Sequence, residues 1–483
     1  MKIEDYLEQA FGYKKEYREK WIEKINEWQS WYCGYNKEFY NYTISTGRAA
    51  VKMKRKSLQM AKKCCEDWAD LLFNVNCKIE IKNNQEELNE ILAKNNFWLM
   101  INQAIEKSFA VGTGALILSV SGIEHNEDLN TIIVNKAEPC IEFVEAEKIY
   151  PISWNNQFIY ECAFSTIKVV HGQKYLFLSV HTKQDDNYVI HSKVFTLTDS
   201  GEISELKEED EKAILGSFTD FNTESDKRWF CIISPAISSN LGDSTNGYYS
   251  DYPFGISVFA NAVDCIKSID ETFDSLSNEI QMGRKRIFVR SGMLNNVNGQ
   301  PMFDATDISV YELPDGVSGS DLFQPDNSAL RVDSIVEALK TDMSAFSNNV
   351  GMGKDMYSFE VSSMSTAAQV YSTNSELKRH RDKHKTKIEN ELYDFLDTTC
   401  YASTKFSHYN ISSEGLSIKF DDSMFEDLSS ESQRKLNEIN GDVAARYEYR
   451  TAIFNEDEET AKAKIAEIDE EKRKAMMNMV IEE

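Results

Sequence analysis

Residues 256–286 contain no proline and a single glycine, Gly283. Within them Phe259, Val263, Ile266, Ile269, Phe273, Leu276 and Ile280 recur at spacings of 4, 3, 3, 4, 3 and 4. That period marks one face of an α-helix. At 1.5 Å per residue the run predicts a rod of roughly 40 Å or more. The apolar seam is thin, and the other faces carry Asp264, Asp270, Glu271, Asp274 and Glu279. A rod of this kind needs a partner along its length. It either lies on the body of its own chain, or packs against copies of itself with the acidic face towards a lumen. The residues alone leave both open.

The segments beyond the rod narrow the choice. GRKRIFVR turns into a stretch, PMFDATDISVYELPDGVSGSDLFQPDNS, that holds three of the seven prolines. It reads as a small, loop-rich β insertion between two helices. A second helix is predicted over 330–349, with Ile335, Leu339, Met343, Phe346 and Val350 as its apolar stripe. GMGKDMYSFEVSS then interrupts, and a third helix is predicted from about 365 to 400.

The amino-terminal third is helical in pattern. Trp21, Ile25, Trp28 and Trp31 form one stripe, and Leu58, Ala61, Cys64, Trp68 and Leu71 another. CKIEI reads as a short strand, 84–110 as a helix pair, and VGTGALILSV as a turn into a buried strand. From 114 to 235 the period changes to two. IIVNKAEPCIEFVEAEKIYPISW, FIYECAFSTIKVV, KYLFLSVHTK and NYVIHSKVFTLT read as antiparallel strands joined by turns such as KQDDN and TDSGE. The fold class is therefore α+β, as one mixed domain or two closely joined. AIFNEDEETAKAKIAEIDEEKRKAMM, in the tail, reads as one exposed helix with Glu-to-Lys pairs four apart.

Charge limits the partners. Asp and Glu number 79 against 53 Lys and Arg, a formal net charge of -26. Tight DNA binding needs the opposite sign, whereas passing close to DNA without sticking does not. No run of 18 apolar residues predicts a membrane span. The start, MKIEDYLEQAFGYKKEYREK, has no apolar core of a signal peptide. The nine cysteines are scattered without a CxxC, which fits thiols in a reducing cytoplasm.

Signals for chemistry are weak. HRDKH sets His380 and His384 four apart on one helix face, as metal ligands can be. The metalloprotease pattern needs Glu where Arg381 stands, and further cations flank the pair. A solvated or interface-facing basic surface is the other reading. GMGKD lacks the Gly at 348 and the Ser or Thr at 355 of a phosphate loop, having Asn348 and Asp355. No nucleophile elbow or paired-carboxylate motif stands out. No catalytic, metal or cofactor site is expected.

The order of segments carries more than any motif. RKSLQMAKKCCEDWADLLFN, SFAVGTGALILSV, FGISVFANAVDCIKSIDETFDSLSNEIQMGRKRIFV and MSTAAQVYSTNSELKRHRDKHKTKIENEL resemble, in that order, the portal proteins of long-tailed, siphovirus-type phages of Gram-positive bacteria. The resemblance implies a wing over 1–254, a first stem helix over 255–286, a clip over 287–329 and a second stem helix over 330–350. It further implies a tunnel loop over 351–363, a long helix and return to the wing over 364–424, and a crown over 425–483.

The function implied is a ring of about twelve copies at one capsid vertex, through which double-stranded DNA is packaged, retained and ejected. The implied partners are the terminase large subunit, a head-completion or adaptor protein, and the major capsid and scaffolding proteins. The protein would be assembled in the host cytoplasm and end in the virion. Under this reading Asp264, Asp270, Asp274 and Glu279 line the channel and repel the duplex. Gly351, Met352, Gly353, Lys354, Asp355, Met356, Tyr357 and Phe359 form the tunnel loop, with Lys354 nearest the phosphates. Arg284, Lys285, Arg286 and Arg290 meet phosphate or an acidic partner at the clip, or are simply solvated at a helix end. Lys378, Arg379, Arg381 and Lys385 pair with a neighbouring subunit, or sit near DNA. The other classes are a packaging ATPase-nuclease and an acidic adaptor or scaffold that forms no channel.

Overall fold

The computed structural model describes residues 2–45, 50–122, 124–126, 131–133, 137–156, 158–170, 172–198, 201–207, 210–211, 214, 220–242, 251–282, 286–290, 310–313, 323–326, 329–354, 356–357, 367–422, 428–441, 443–454, 456 and 458–481. The chain divides into two compact units, Met1–Lys419 and Phe420–Glu483.

The first unit opens with α1 (Ile3–Phe11), α2 (Lys15–Tyr32) and the single turn α3 (Lys37–Tyr40), followed by the hairpin β1 (Asn41–Ser45) and β2 (Ala50–Lys54). Then come α4 (Met60–Leu72), β3 (Lys78–Glu80), α5 (Gln85–Lys94) and α6 (Phe97–Val111). The stripe read on α2 is its buried face, since Trp21, Ile25, Trp28 and Trp31 are all at most 3% exposed. Each buried indole removes roughly 200 Å² from water, an upper bound of about 5 kcal/mol at 25 cal/mol/Å².

The strand region is β4 (Gly114–Ser121), β5 (Glu124–Asn126), β6 (Thr131–Ile133), β7 (Glu138–Glu145), β8 (Ile149–Asn155), β9 (Phe158–Val170), β10 (Gln173–Gln184), β11 (Asn187–Leu197), β12 (Ile203–Glu205), β13 (Asp220–Asn222) and β14 (Phe230–Ile233). One antiparallel sheet runs β12-β11-β10-β9-β8, with β13 also pairing β11. Ile3 and Leu7 of α1 close one face of it, against Leu176, Leu178, Val180 and Phe195. A second sheet, β14-β4-β7, lies by α6. The period-two reading of this region is thus the observed architecture. Parts of IIVNKAEPC, 134–136, lie outside the described residues.

Next come α7 (Val263–Met282), then β15 (Arg286–Arg290), β16 (Val310–Leu313) and β17 (Phe323–Asp326), then α8 (Val332–Asn349). The long helix α9 (Ala367–Phe406) and β18 (Ser417–Lys419), which pairs with β3, complete the unit.

Two boundaries differ from the sequence reading. The helix read over 255–286 begins at Val263, preceded by a 3-10 turn at Ala260–Ala262, so α7 has 20 residues. Ile256, Val258 and Phe259 are buried, but in a non-helical segment bound to the end of α6. The long helix runs six residues past 400, to Phe406.

The second unit contains α10 (Leu428–Asn440), α11 (Arg446–Phe454) and α12 (Glu458–Ile481). The single tail helix read from AIFNEDEETAK is in fact broken between α11 and α12. Glu456 sits in the break and accepts two hydrogen bonds from Arg450, at 2.9 and 3.0 Å, with Lys464 also on its carboxylate.

Candidate channel and assembly elements

α7 and α8 pack as an antiparallel pair, and polar cross-links set their register. Arg331, just before α8, grips Glu279 near the end of α7 through its backbone N–H (3.0 Å), Nε (3.3 Å) and Nη2 (2.9 Å). Asp342 accepts from the hydroxyls of Ser268 (2.9 Å) and Thr272 (3.2 Å). Asn349 Nδ2 reaches Cys265 Sγ at 3.3 Å. Ile266, Ile269, Leu339, Met343 and Phe346 are buried, whereas Ile280 and Leu330, at the other end of the pair, are about half exposed. That end carries a three-stranded sheet, with β15 parallel to β16 and antiparallel to β17.

The opposite end is locked to the end of α6 by two glycines. Gly112 ends α6 in the left-handed region, at φ +88°, and meets the backbone of Gly255. A Cβ on Gly112 would lie 2.2 Å from the Gly255 carbonyl oxygen, and one on Gly255 would lie 2.6 Å from the Gly112 oxygen. Gly255 N donates to Thr113 Oγ1 (3.0 Å) and Val258 N to the Phe109 carbonyl (2.9 Å).

Two of the four proposed channel-lining acids are corrected by their burial. Asp270 has no exposed surface. Its carboxylate accepts from the Tyr40 hydroxyl, the Ser57 hydroxyl (2.9 Å) and the Leu58 N–H (2.8 Å). Burial pushes its pKa up, and these three donors pull against that. Asp274, 7% exposed, accepts from the Tyr42 hydroxyl (3.1 Å), the Lys56 N–H (3.3 Å) and Asn278 (3.2 Å). Glu271, beside them, pairs with Arg55 at 3.2 Å. Asp270 and Asp274 of α7 are therefore a dock for Tyr40, Tyr42 and residues 56–58, and these two carboxylates present no charge to open space, whereas Glu271 stays about half exposed. Glu279 is spent on Arg331, which holds its carboxyl below the usual range. Asp264 alone of the four is fully solvated, 94% exposed at its side chain and 2.9 Å from Lys267.

The described part of the loop after α8 folds back on that helix. Gly351 and Gly353 both take φ +78° and turn the chain. Met352 N donates to the Ser347 carbonyl (3.0 Å), Ser347 Oγ to the Gly353 carbonyl and Ser344 Oγ to the Lys354 carbonyl (3.1 Å). Met352 and Tyr357 are buried, Tyr357 against Phe346 with ring centroids 5.7 Å apart. Those two residues anchor the described part of the loop to α8. Lys354 and Met356 are exposed. Asp355 and Phe359 lie outside the described residues. So do Arg284 and Lys285 at the clip; Arg286 and Arg290 lie on β15, opposite Asp326 and Leu313 in the backbone register.

The basic stretch on α9 is half interior. Leu377, Arg381, His384 and Ile388 form its buried face. Arg381 is 1% exposed and its Nε donates to the Leu71 carbonyl at 2.9 Å, in the last turn of α4. A guanidinium suits that end of a helix, where carbonyls lack partners. Its burial within one chain corrects its assignment to a subunit interface. Lys378 and Arg379 are exposed, and Lys385 is half-buried.

His384 Nδ1 accepts from Ala236 N at 2.9 Å, which leaves that nitrogen committed. Its ring lies 4.7 Å from Trp68 and 5.1 Å from Phe109. Trp68 Nε1 in turn donates to the Val350 carbonyl at 3.2 Å, tying α4 to the root of the loop. Among the described residues no group of three or more His, Cys, Asp or Glu is placed to hold a metal.

Burial lowers the His384 pKa to about 3, and that of His181 likewise. Both stay neutral in the fold, while the unfolded chain takes up protons near pH 6.5. Stability carried by each is therefore complete above pH 6.5 and lost as pH falls from there towards 3. Each histidine is expected to cost about 2 kcal/mol between pH 7 and pH 5. Urea unfolding of His384→Asn at the two pH values should show a difference smaller by that amount; an unchanged difference would refute it.

The sequence matches the model of the family described as phage portal protein, SPP1 Gp6-like, over residues 12–477. The chain belongs to this portal family. Comparison with curated proteins gives no match. Among solved structures, a chain from the neck of a native GTA particle, computed with C12 symmetry, covers 81% of this chain and 88% of its own at 9% identity and a TM-score of 0.37. A portal protein is a structural part of the phage capsid, and no described helix is long and apolar enough to cross a membrane. In the portal chain, the acidic positions were legible, but their partners Tyr40, Tyr42, Ser57 and Leu58 lie more than 200 residues away. No local signal identifies such a socket.

Proposed function

We propose that this portal chain assembles as a closed homo-oligomeric ring of about twelve copies at one capsid vertex, formed in the host cytoplasm. Its central hole conducts double-stranded DNA during packaging, retains it and releases it on ejection. The clip docks the terminase large subunit first and a head-completion or adaptor protein later, and the wing contacts capsid and scaffolding proteins. The chain acts without catalysis and without a cofactor. The observation that carries this reading is the α7–α8 pair, rooted in the wing at one end and bearing a small sheet at the other, in a chain whose family match spans nearly its whole length.

Repulsion of the duplex then rests on the net charge of -26 spread over exposed carboxylates such as Asp264, rather than on a file of acids along α7. Lys354, exposed on the loop, is the cation proposed to approach phosphate, and Met356 the bulk beside it. Lys378 and Arg379 are exposed α9 cations proposed to meet a neighbour or DNA.

Negative-stain electron microscopy with light scattering tests the reading. Rings with a central hole, near 665 kDa for twelve copies of the 55.4 kDa chain, are expected. A 55.4 kDa monomer with ATP turnover or nuclease activity overturns it.

A further inference from the structure

The hairpin β1–β2 is a two-stranded ribbon with no other strand beside it among the described residues. Such a ribbon is marginal alone in water. Register gives it two unlike faces. Tyr42 opposite Met53 and Ile44 opposite Val51 share one, and Tyr42 on it reaches Asp274 of α7. Thr43 opposite Lys52 and Asn41 opposite Lys54 make the other, which is turned away from the stem and exposed. Lys54 lies 4.9 Å over the Tyr35 ring, so its charge is held in place.

A complementary face exists on the far side of the same stem. Residues of α8 that reach α7 are Asp342 and Asn349, with Arg331 just before the helix. At about 100° per residue, Asp333 and Glu337 point about half a turn away from these. Both are exposed. Lys340, one turn further on, is half-buried and already engaged. The order across the molecule is thus basic hairpin face, α7, α8, acidic face.

The two faces also stand at one level. Glu279 is tied to Arg331, and Ser268 and Thr272 to Asp342. Interpolated between those links, Asp274 and Ser277, where Tyr42 and Lys56 dock, stand level with Glu337 and Asp333. A rotation about a ring axis along the stem preserves level, and a closed ring needs two different faces that match.

We infer that the hairpin of one copy lays Lys52 and Lys54 on Asp333 and Glu337 of the next, as the latch that closes adjacent stems. The inference rests on the ring reading above and names the contact it requires. Single exposed ion pairs are weak and screened by salt, but the contact repeats at every interface.

Charge reversal tests it on the full chain. K52E/K54E and, separately, D333K/E337K should each weaken ring assembly about tenfold or more, read as the protein concentration at which half the mass is in rings. Circular dichroism should be unchanged and thermal unfolding nearly so, because all four side chains are exposed and only the Lys54–Tyr35 contact is lost. The quadruple variant, with both faces reversed, should recover rings. Unaltered ring assembly in both double variants, or no recovery in the quadruple one, overturns the latch while leaving the ring intact. A parent protein that forms no rings at all overturns the ring reading and the latch with it.

Discussion

Gly112→Ala is expected to abolish soluble folded protein or to cost at least about 4 kcal/mol. The new Cβ would sit 2.2 Å from the Gly255 oxygen and 2.7 Å from two backbone carbons, so no side-chain rotation relieves it. Residue 112 also holds φ +88°, which costs an L-residue roughly 1–2 kcal/mol. To restore contact distance the two backbones must part by about 1 Å. That loosens the bonds from Val258 N to Phe109 and from Gly255 N to Thr113, in a buried place where an unmet polar group costs about 1–3 kcal/mol. Gly201→Ala separates the two terms. It has a similar φ, +80°, and nothing within 4 Å of its new Cβ. Urea unfolding should show about 1–2 kcal/mol at Gly201 and far more at Gly112. Equal losses at both sites would mean that the junction yields and does not lock the stem to the wing.

Asp270→Ala is expected to cost about 3–5 kcal/mol, because it leaves the Ser57 hydroxyl and the Leu58 N–H without their acceptor and the Tyr40 hydroxyl with only Ser57 Oγ, at 3.2 Å. Asp270→Asn keeps one acceptor oxygen and should lose about half as much. Asp264→Ala, at a solvated site, should lie within about 0.5 kcal/mol of the parent. Thermal unfolding ranks the three. Limited proteolysis adds a local readout, since Asp270→Ala should expose 40–58 to cleavage. If Asp264 and Asp270 behave alike, the carboxylate socket does not hold the stem.

The helix stripes, the period-two strands and the turn at Gly112 were all legible because each is a local pattern. Trp21, Ile25, Trp28 and Trp31 bury as their spacing requires, whatever they meet. Asp270 and Asp274 of α7 were read correctly as part of a face and wrongly as surface. A carboxylate looks the same in sequence whether water or a tyrosine hydroxyl solvates it, and the donors to Asp270 came from 212 to 230 residues upstream. Arg381 and His384 failed the same way, as members of a charge-rich run that one buried helix face happens to intersect.

The order of segments, the α+β class and the portal family were therefore settled by the chain's own patterns. They depend on periodicity and on similarity spread over many positions, and both survive without knowledge of contacts. Which polar groups are buried, which cation caps α4, and that two glycines touch backbone to backbone were decided only by folding. Those features are pairings between distant segments, and each member has the same intrinsic chemistry until its partner removes it from water.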